Sequence, residues 1–295
     1  MGHNRALAPM RLRIATLLIA LPALLSCLAH GRPVVVPLET VAHAKRPDGR
    51  APTLIVLLPG RGSRAGDFDH MGFTEMARES GVDADLMEVD LHLGYYMDGS
   101  FSRRLWEDVV APARAAGYAQ VWLVGLSLGG IGAIGFAREH PDVLAGLVLL
   151  SPYLGPKAVG EEIHAAGGLA TWNPTYRSDA DTFETFIVQN WEFLEQVSQR
   201  GGGPPVLYLG YGLDEPMKPS FDLLAESLPP AQVIRVPGIH RWKTWRALWQ
   251  DFLVRGVFDR PDGREDEAGP TEARPGENMG LRWCILQAFH ATGPS

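Results

Sequence analysis

Short apolar runs alternate along the chain with stretches in which apolar residues recur at helical spacing. The apolar runs predict strands, most of them buried on both faces of a sheet. They cover Thr53–Leu58, Asp85–Val89, Val121–Val124, Gly146–Leu150, Val206–Leu209 and Gln232–Val236. Helical spacing predicts helices from about Arg103 to Ala116 and over Trp242–Val254. Because strands and helices alternate, the pattern favours βαβ units and an α/β fold with a mostly parallel, doubly wound sheet.

The first 30 residues are typical of an export signal. An apolar run of twelve residues, Ile14–Leu25, follows three basic residues: Arg5, Arg11 and Arg13. Such a run is too short for a membrane-spanning helix, which needs about 20 residues. We therefore predict that residues 1–30 are a signal peptide and that the protein is exported. An apolar N-terminal helix that packs into the fold is the alternative.

The end of this segment also resembles a bacterial lipobox. Leu24-Leu25-Ser26-Cys27 would place a lipidated Cys27 at the mature N-terminus. Ordinary cleavage shortly afterwards, for example after Ala29, is the alternative. The sequence thus predicts a periplasmic, membrane-anchored or secreted protein, with membrane anchoring through Cys27 as one option.

The pattern assigns residues 31–258 to one α/β domain, a normal size for this class. Its longest stretch without a predicted strand is 155–203, which we expect to form a short helical insertion above the sheet. Residues 259–295 begin with a segment rich in proline, glycine and acidic residues and are predicted to be a disordered tail. Apolar residues make up 46% of the chain, enough for a large core.

Charge and cysteine content exclude several classes of protein. The formal net charge of −7 argues against nucleic-acid binding, which requires a basic face. The only cysteines, Cys27 and Cys284, lie near the two ends and cannot form a disulfide framework. The zinc motifs C-x-x-C and H-E-x-x-H do not occur. We therefore expect no metal and no cofactor.

One motif contains a candidate catalytic residue. Gly125-Leu126-Ser127-Leu128-Gly129 matches G-x-S-x-G, follows a predicted strand and opens a glycine-rich helical segment. In a nucleophile elbow, a strand and a helix meet at a sharp turn that exposes the serine, and small neighbours let them approach closely. This context predicts that Ser127 is a nucleophile. The alternative is a tight turn with an incidental serine.

A serine nucleophile needs a base and an acid at the same edge of the sheet. Of nine histidines, His240 alone follows the last predicted strand and precedes the closing helix. Asp214 follows the preceding strand, so both emerge at the carboxyl edge that carries Ser127. The order Ser, Asp, His is that of the α/β-hydrolases. Glu215 is the alternative acid, and Asp222, expected within the next helix, fits less well.

On these residues the chain, from about 51 to 257, resembles the α/β-hydrolase superfamily and is most similar to small carboxylesterase-like members. Gly238-Ile239-His240-Arg241-Trp242 resembles their histidine segment. The resemblance implies the fold, the triad and a two-step acyl-enzyme mechanism. One oxyanion donor should be the backbone N–H of Leu128. Leu58-Pro59-Gly60-Arg61-Gly62 resembles the family's His-Gly-x-x loop, with proline in place of histidine, which implies Arg61 N–H as the second donor.

These features together predict a serine esterase acting on a small-molecule or lipid-like carboxylic ester. Three alternatives stay open. An acyltransferase would use the same fold, and a hydrolase-like binding protein would be catalytically silent. A dinucleotide-binding protein would use Gly60, Gly62 and Gly66 for phosphate and Asp90 for ribose, although the spacing is looser than the usual fingerprint.

Overall fold

The computed structural model of the protein describes residues 32–47, 49–174, 183–200 and 203–259. The predicted signal peptide with Cys27 and nearly all of the predicted C-terminal tail, including Cys284, lie outside the described residues. The predictions of export, lipidation and a disordered tail therefore stay predictions.

A seven-stranded sheet forms the centre of the domain. Its strands lie in the order β1-β3-β2-β4-β5-β6-β7. Only β1 is antiparallel to its neighbour, β3, and all other neighbours are parallel. The strands are β1 Thr40–His43, β2 Thr53–Leu58, β3 Ala84–Val89, β4 Gln120–Leu126, β5 Gly146–Leu150, β6 Val206–Gly212 and β7 Val233–Val236.

The predicted mostly parallel α/β fold is confirmed, and each predicted strand is present within a few residues of its expected bounds. The edge strand β1 was not predicted. Three of its four residues are exposed, so no buried apolar run marks it in the sequence. It is held by antiparallel pairing to β3, with Thr40 opposite Val89 and His43 opposite Leu86.

Helices cover both faces of the sheet. They are α1 Asp67–His70, α2 Phe73–Ser80, α3 Leu93–Met97, α4 Phe101–Leu105, α5 Ala111–Ala115, α6 Leu128–Glu139, α7 Lys157–Ala165, α8 Phe183–Gln199, α9 Lys218–Glu226 and α10 Trp242–Val254. A π-helical turn, Trp106–Val110, joins α4 to α5, so the helix predicted from about Arg103 contains three segments. Short 3₁₀ turns cover Leu169–Thr171, Pro230–Gln232 and Val257–Asp259.

Two apolar cores lie between the helices and the sheet, one on each face of the sheet. Along β2, Leu54, Val56 and Leu58 point into one core, and Ile55 and Leu57 point into the other. Side chains alternate between the faces of a strand, so an uninterrupted apolar run is what a strand between two helical layers requires.

The segment 155–203 contributes α7 and α8 to the first of these cores. Ile187 and Trp191 of α8 are buried together with Ile134 and Phe136 of α6. The indole of Trp191 also donates a hydrogen bond of 2.9 Å to the carbonyl oxygen of Leu154. Helix α8 is therefore packed beside α6 as part of the body of the domain.

Within the described ranges, no helix is both long and apolar enough to cross a membrane. The same residues contain no cluster of three or more His, Cys, Asp or Glu side chains that could hold a metal ion.

Candidate active site

Ser127 occupies the sharp turn between β4 and α6. Its backbone angles, φ 50° and ψ −110°, lie in a region that non-glycine residues rarely adopt. The turn brings helix and strand so close that a Cβ on Gly125 would lie 2.6 Å from the carbonyl oxygen of Gly129. The side chain of Ser127 is partly exposed, at the carboxyl edge of the sheet. This geometry is that of a nucleophile elbow.

The loop after β2 borders the serine. A Cβ built on Gly60 would lie 2.7 Å from Cδ2 of Leu126 and 3.5 Å from Cβ of Ser127. The absence of a side chain at Gly60 therefore lets this loop approach the turn. Arg61, the residue expected to supply a backbone donor, comes next in the same loop.

His240 follows β7 and reaches the serine. Its Nε2 lies 2.9 Å from Oγ of Ser127. Gly238, with φ 139°, turns the chain towards the start of α10, a conformation that favours glycine. Trp245 of α10 packs edge-on against the imidazole, with ring centroids 4.8 Å apart. The imidazole is thus held from one side by an aromatic ring and remains 28% exposed.

The acid beside His240 is Glu215, which corrects the prediction of Asp214. Nδ1 of His240 lies 2.7 Å from Oε2 of Glu215. Asp214 is exposed, and its carboxylate accepts a hydrogen bond of 3.2 Å from the N–H of Gly238 instead.

Backbone pairing explains why Glu215, and not Asp214, contacts His240. Beyond β6, the N–H groups of Leu213 and Asp214 still donate to the carbonyl oxygens of Val236 and Gly238, at 2.9 Å each. The segment therefore continues alongside the histidine loop, with the side chain of Asp214 outside and that of Glu215 buried. Glu215 precedes the next helix, since α9 begins only at Lys218.

Glu215 is fully buried and is surrounded by hydrogen-bond donors. Its Oε1 accepts from the hydroxyl of Ser151 at 2.5 Å and from the N–H of Gly212 at 2.8 Å. Within the described chain, its only ion-pair partner is His240. A buried carboxylate depends on such donors, since each unsatisfied oxygen would cost free energy.

The two expected oxyanion donors are the backbone N–H groups of Leu128 and Arg61. Leu128 is the first residue of α6, where a backbone N–H has no partner within the helix. Arg61 belongs to the loop that Gly60 brings against the turn. Neither N–H donates to another backbone group in the part of the chain that the structure describes. Their role as oxyanion donors stays a prediction.

His92, in the segment that follows β3, makes a local backbone contact. Its Nδ1 accepts a hydrogen bond of 3.1 Å from the N–H of Gly94. Burial, and then the nearby Arg32 guanidinium, lower the pKa of His92. These effects disfavour the charged form of the imidazole, whose Nδ1 is bound by the local backbone. Tyr96, four residues after His92, has a buried hydroxyl, and burial raises the pKa of this group.

The end of the glycine loop after β2 is bound by the carboxylates of Glu88 and Asp90. Glu88 accepts hydrogen bonds from the N–H groups of Gly66 and Phe68, at 2.7 and 3.0 Å. Asp90 accepts one from Ala65 and is clamped by both terminal nitrogens of Arg32, at 2.7 and 2.8 Å. The amide of Gly66 is thus bound to a carboxylate, and Asp90, the residue proposed for ribose, is bound to Arg32. Both contacts argue against the dinucleotide-binding alternative.

No protein-family model matches the chain, and a comparison with curated proteins gives no significant match. Solved structures do match. The fluorophosphonate-binding serine hydrolase F of Staphylococcus aureus is 15% identical, with a TM-score of 0.52 over 75% of this chain and 99% of that one. Est1E of Butyrivibrio proteoclasticus is 14% identical, with a TM-score of 0.51 over 75% and 93%. Together with the strand order and the elbow, these matches show that the chain has the α/β-hydrolase fold.

Proposed function

We propose that this protein is a serine hydrolase that cleaves carboxylic esters through an acyl-enzyme intermediate. The observation that carries the proposal is a continuous chain of hydrogen-bond contacts. It runs from Oγ of Ser127 to Nε2 of His240 at 2.9 Å, and from Nδ1 of His240 to Glu215 at 2.7 Å. A strained serine, a base and a buried acid in this order are what nucleophilic catalysis by serine requires.

In the first step, Oγ of Ser127 attacks the carbonyl carbon of the ester. Its proton passes to Nε2 of His240, and the charged imidazolium is stabilised by Glu215. The carbonyl oxygen carries the negative charge of the tetrahedral intermediate, and the N–H groups of Leu128 and Arg61 are the proposed donors to it. The positive end of α6 favours the same charge.

The intermediate collapses when the bond to the alcohol oxygen breaks and Nε2 returns its proton to that oxygen. The alcohol leaves, and the acyl group stays on Ser127. In the second step, a water molecule gives a proton to His240 and attacks the acyl carbon. The acid is released, and the proton returns to Oγ of Ser127.

Apolar side chains beside the triad support an apolar ester as substrate. Leu213 and Ile239 are 41% and 40% exposed. They lie in the two loops that carry Glu215 and His240, which places them at the rim of the site. An exposed apolar pair next to a catalytic centre suits a small-molecule or lipid-like ester, because burying these side chains against the substrate is favourable.

A panel of p-nitrophenyl esters from acetate to palmitate tests the proposal. We expect turnover of at least part of the panel, with a rapid initial release of p-nitrophenol of up to one equivalent per enzyme where deacylation is slow. Added alcohols distinguish a hydrolase from an acyltransferase, since transfer to the alcohol would exceed hydrolysis in the second case. Absence of turnover across the panel by folded protein would contradict esterase activity.

We also propose that the protein is exported and that Cys27 carries a lipid anchor. The support is the basic and apolar pattern of residues 1–30 and the lipobox-like end of that segment. Fractionation of cells that express the tagged full-length chain should recover the mature protein with the membrane. The Cys27→Ala variant should lose this association. Cytosolic recovery of the unchanged chain would contradict export, and unchanged membrane association of Cys27→Ala would contradict lipidation.

A further inference from the structure

Ser151 connects the serine and the acid of the proposed site. It directly follows β5 and, apart from Ser127, is the only non-glycine residue with a positive φ in the described chain, at 45°. The backbone conformation is unfavourable for a side chain, and Ser151 is completely buried. A strained, buried polar residue next to a catalytic centre calls for a physical explanation.

The contacts of this turn reach both ends of the triad. The carbonyl oxygen of Leu150 accepts a hydrogen bond of 3.0 Å from the N–H of Ser127. The N–H of Tyr153 donates to the carbonyl oxygen of Ser127 at 2.8 Å. Between them, the hydroxyl of Ser151 donates to Oε1 of Glu215 at 2.5 Å. One short turn therefore fixes the backbone of the nucleophile and the carboxylate of the acid.

The hydroxyl of Ser151 stabilises the negative charge of the Glu215 carboxylate. Glu215 has one oxygen on His240, and the other is shared by Ser151 and the N–H of Gly212. Without the hydroxyl, the second oxygen would keep a single donor in a site closed to solvent. The carboxylate could then rotate away from the imidazole, which would weaken its stabilisation of the imidazolium. A hydrogen bond to a charged group contributes more than one between neutral groups.

We propose that Ser151 is a positioning residue of the active site, which holds the Glu215 carboxylate oriented towards His240. This inference rests on the proposed serine hydrolase function. Ser151 does not touch the substrate, because it is completely buried. It acts on the reaction only through Glu215.

Two replacements distinguish the effect of the Ser151 hydroxyl from the effect of its strained backbone. Ser151→Ala removes the hydroxyl and keeps the strained conformation, whereas Ser151→Gly removes the hydroxyl and relieves the strain. We expect both variants to lower kcat for the preferred ester by about tenfold to a hundredfold, with KM within about threefold. The control is Ser100→Ala, which breaks a part-buried serine–carboxylate contact, from Ser100 to Asp98 at 2.6 Å, that involves no triad residue. It should leave kcat unchanged.

A double-mutant cycle tests whether Ser151 acts through Glu215. If it does, Ser151→Ala should lower kcat by less than about threefold in a Glu215→Ala background, because residues that act as a unit are strongly non-additive. Wild-type kcat in folded Ser151→Ala, or losses that multiply in the double variant, would overturn the proposal. A purely structural role would lower the melting temperature and leave the cycle additive. If the proposed function is wrong, the wild-type protein itself will show no esterase activity, which is distinct from a failure of the Ser151 proposal.

Discussion

Replacing Ser127 by alanine is expected to lower kcat for ester hydrolysis by about a hundred thousandfold, because the acyl-enzyme cannot form without Oγ. The residual rate would reflect binding and the oxyanion donors alone. Alanine removes a single oxygen at a partly exposed position, so the fold should survive. The measurement is kcat with the best ester of the panel, and circular dichroism and thermal melts monitor folding.

The control for this variant is Ser198→Ala. Ser198 lies in α8, where its hydroxyl donates to the carbonyl oxygen of Glu195 at 2.7 Å. It should retain the full rate. Near-normal hydrolysis by folded Ser127→Ala would contradict the assignment of the nucleophile.

The second large effect separates the two neighbouring acids. Glu215→Gln is expected to lower kcat by about a thousandfold or more, since an amide beside Nδ1 favours the wrong imidazole tautomer and cannot stabilise the imidazolium. Asp214→Asn should cost less than about tenfold, because its carboxylate contacts only backbone of the histidine loop. The two variants are compared by turnover at saturating substrate, with melting temperatures alongside.

The two variants can be compared directly. Both variants exchange a carboxylate for an amide of the same shape, one residue apart. A severe loss in Asp214→Asn with a mild loss in Glu215→Gln would return the acid to the position that sequence reasoning favoured. Mild losses in both would mean that neither carboxylate supports His240.

Much of the framework could be predicted because buried parallel strands have a distinctive pattern. The predicted bounds of β2, β5 and α10 agree with the structure residue for residue. The strand–turn–helix context likewise led to Ser127, and the loop after the last strand led to His240. These signals are local, since each depends on the type of a few consecutive residues.

The remaining features depend on contacts between distant segments. Asp214 and Glu215 share one turn, and only the pairing of that turn with the histidine loop decides which side chain is buried. Ser151 lies 64 positions before Glu215. Its sequence signal was a lone serine directly after an apolar strand, at the edge expected to carry the site, which is too common to single out. The strand β1 was missed because its side chains are exposed.

The central claim is that Ser127 is a nucleophile activated by His240. It is tested most directly by a fluorophosphonate probe followed by peptide mass mapping. Oγ of Ser127 should attack the phosphorus, displace fluoride and pass its proton to His240, which leaves one covalent adduct per chain. We expect the adduct on the peptide that contains Ser127, no labelling of Ser127→Ala, and much slower labelling of His240→Ala. An adduct on another residue, or folded protein that the probe does not label, would contradict the account.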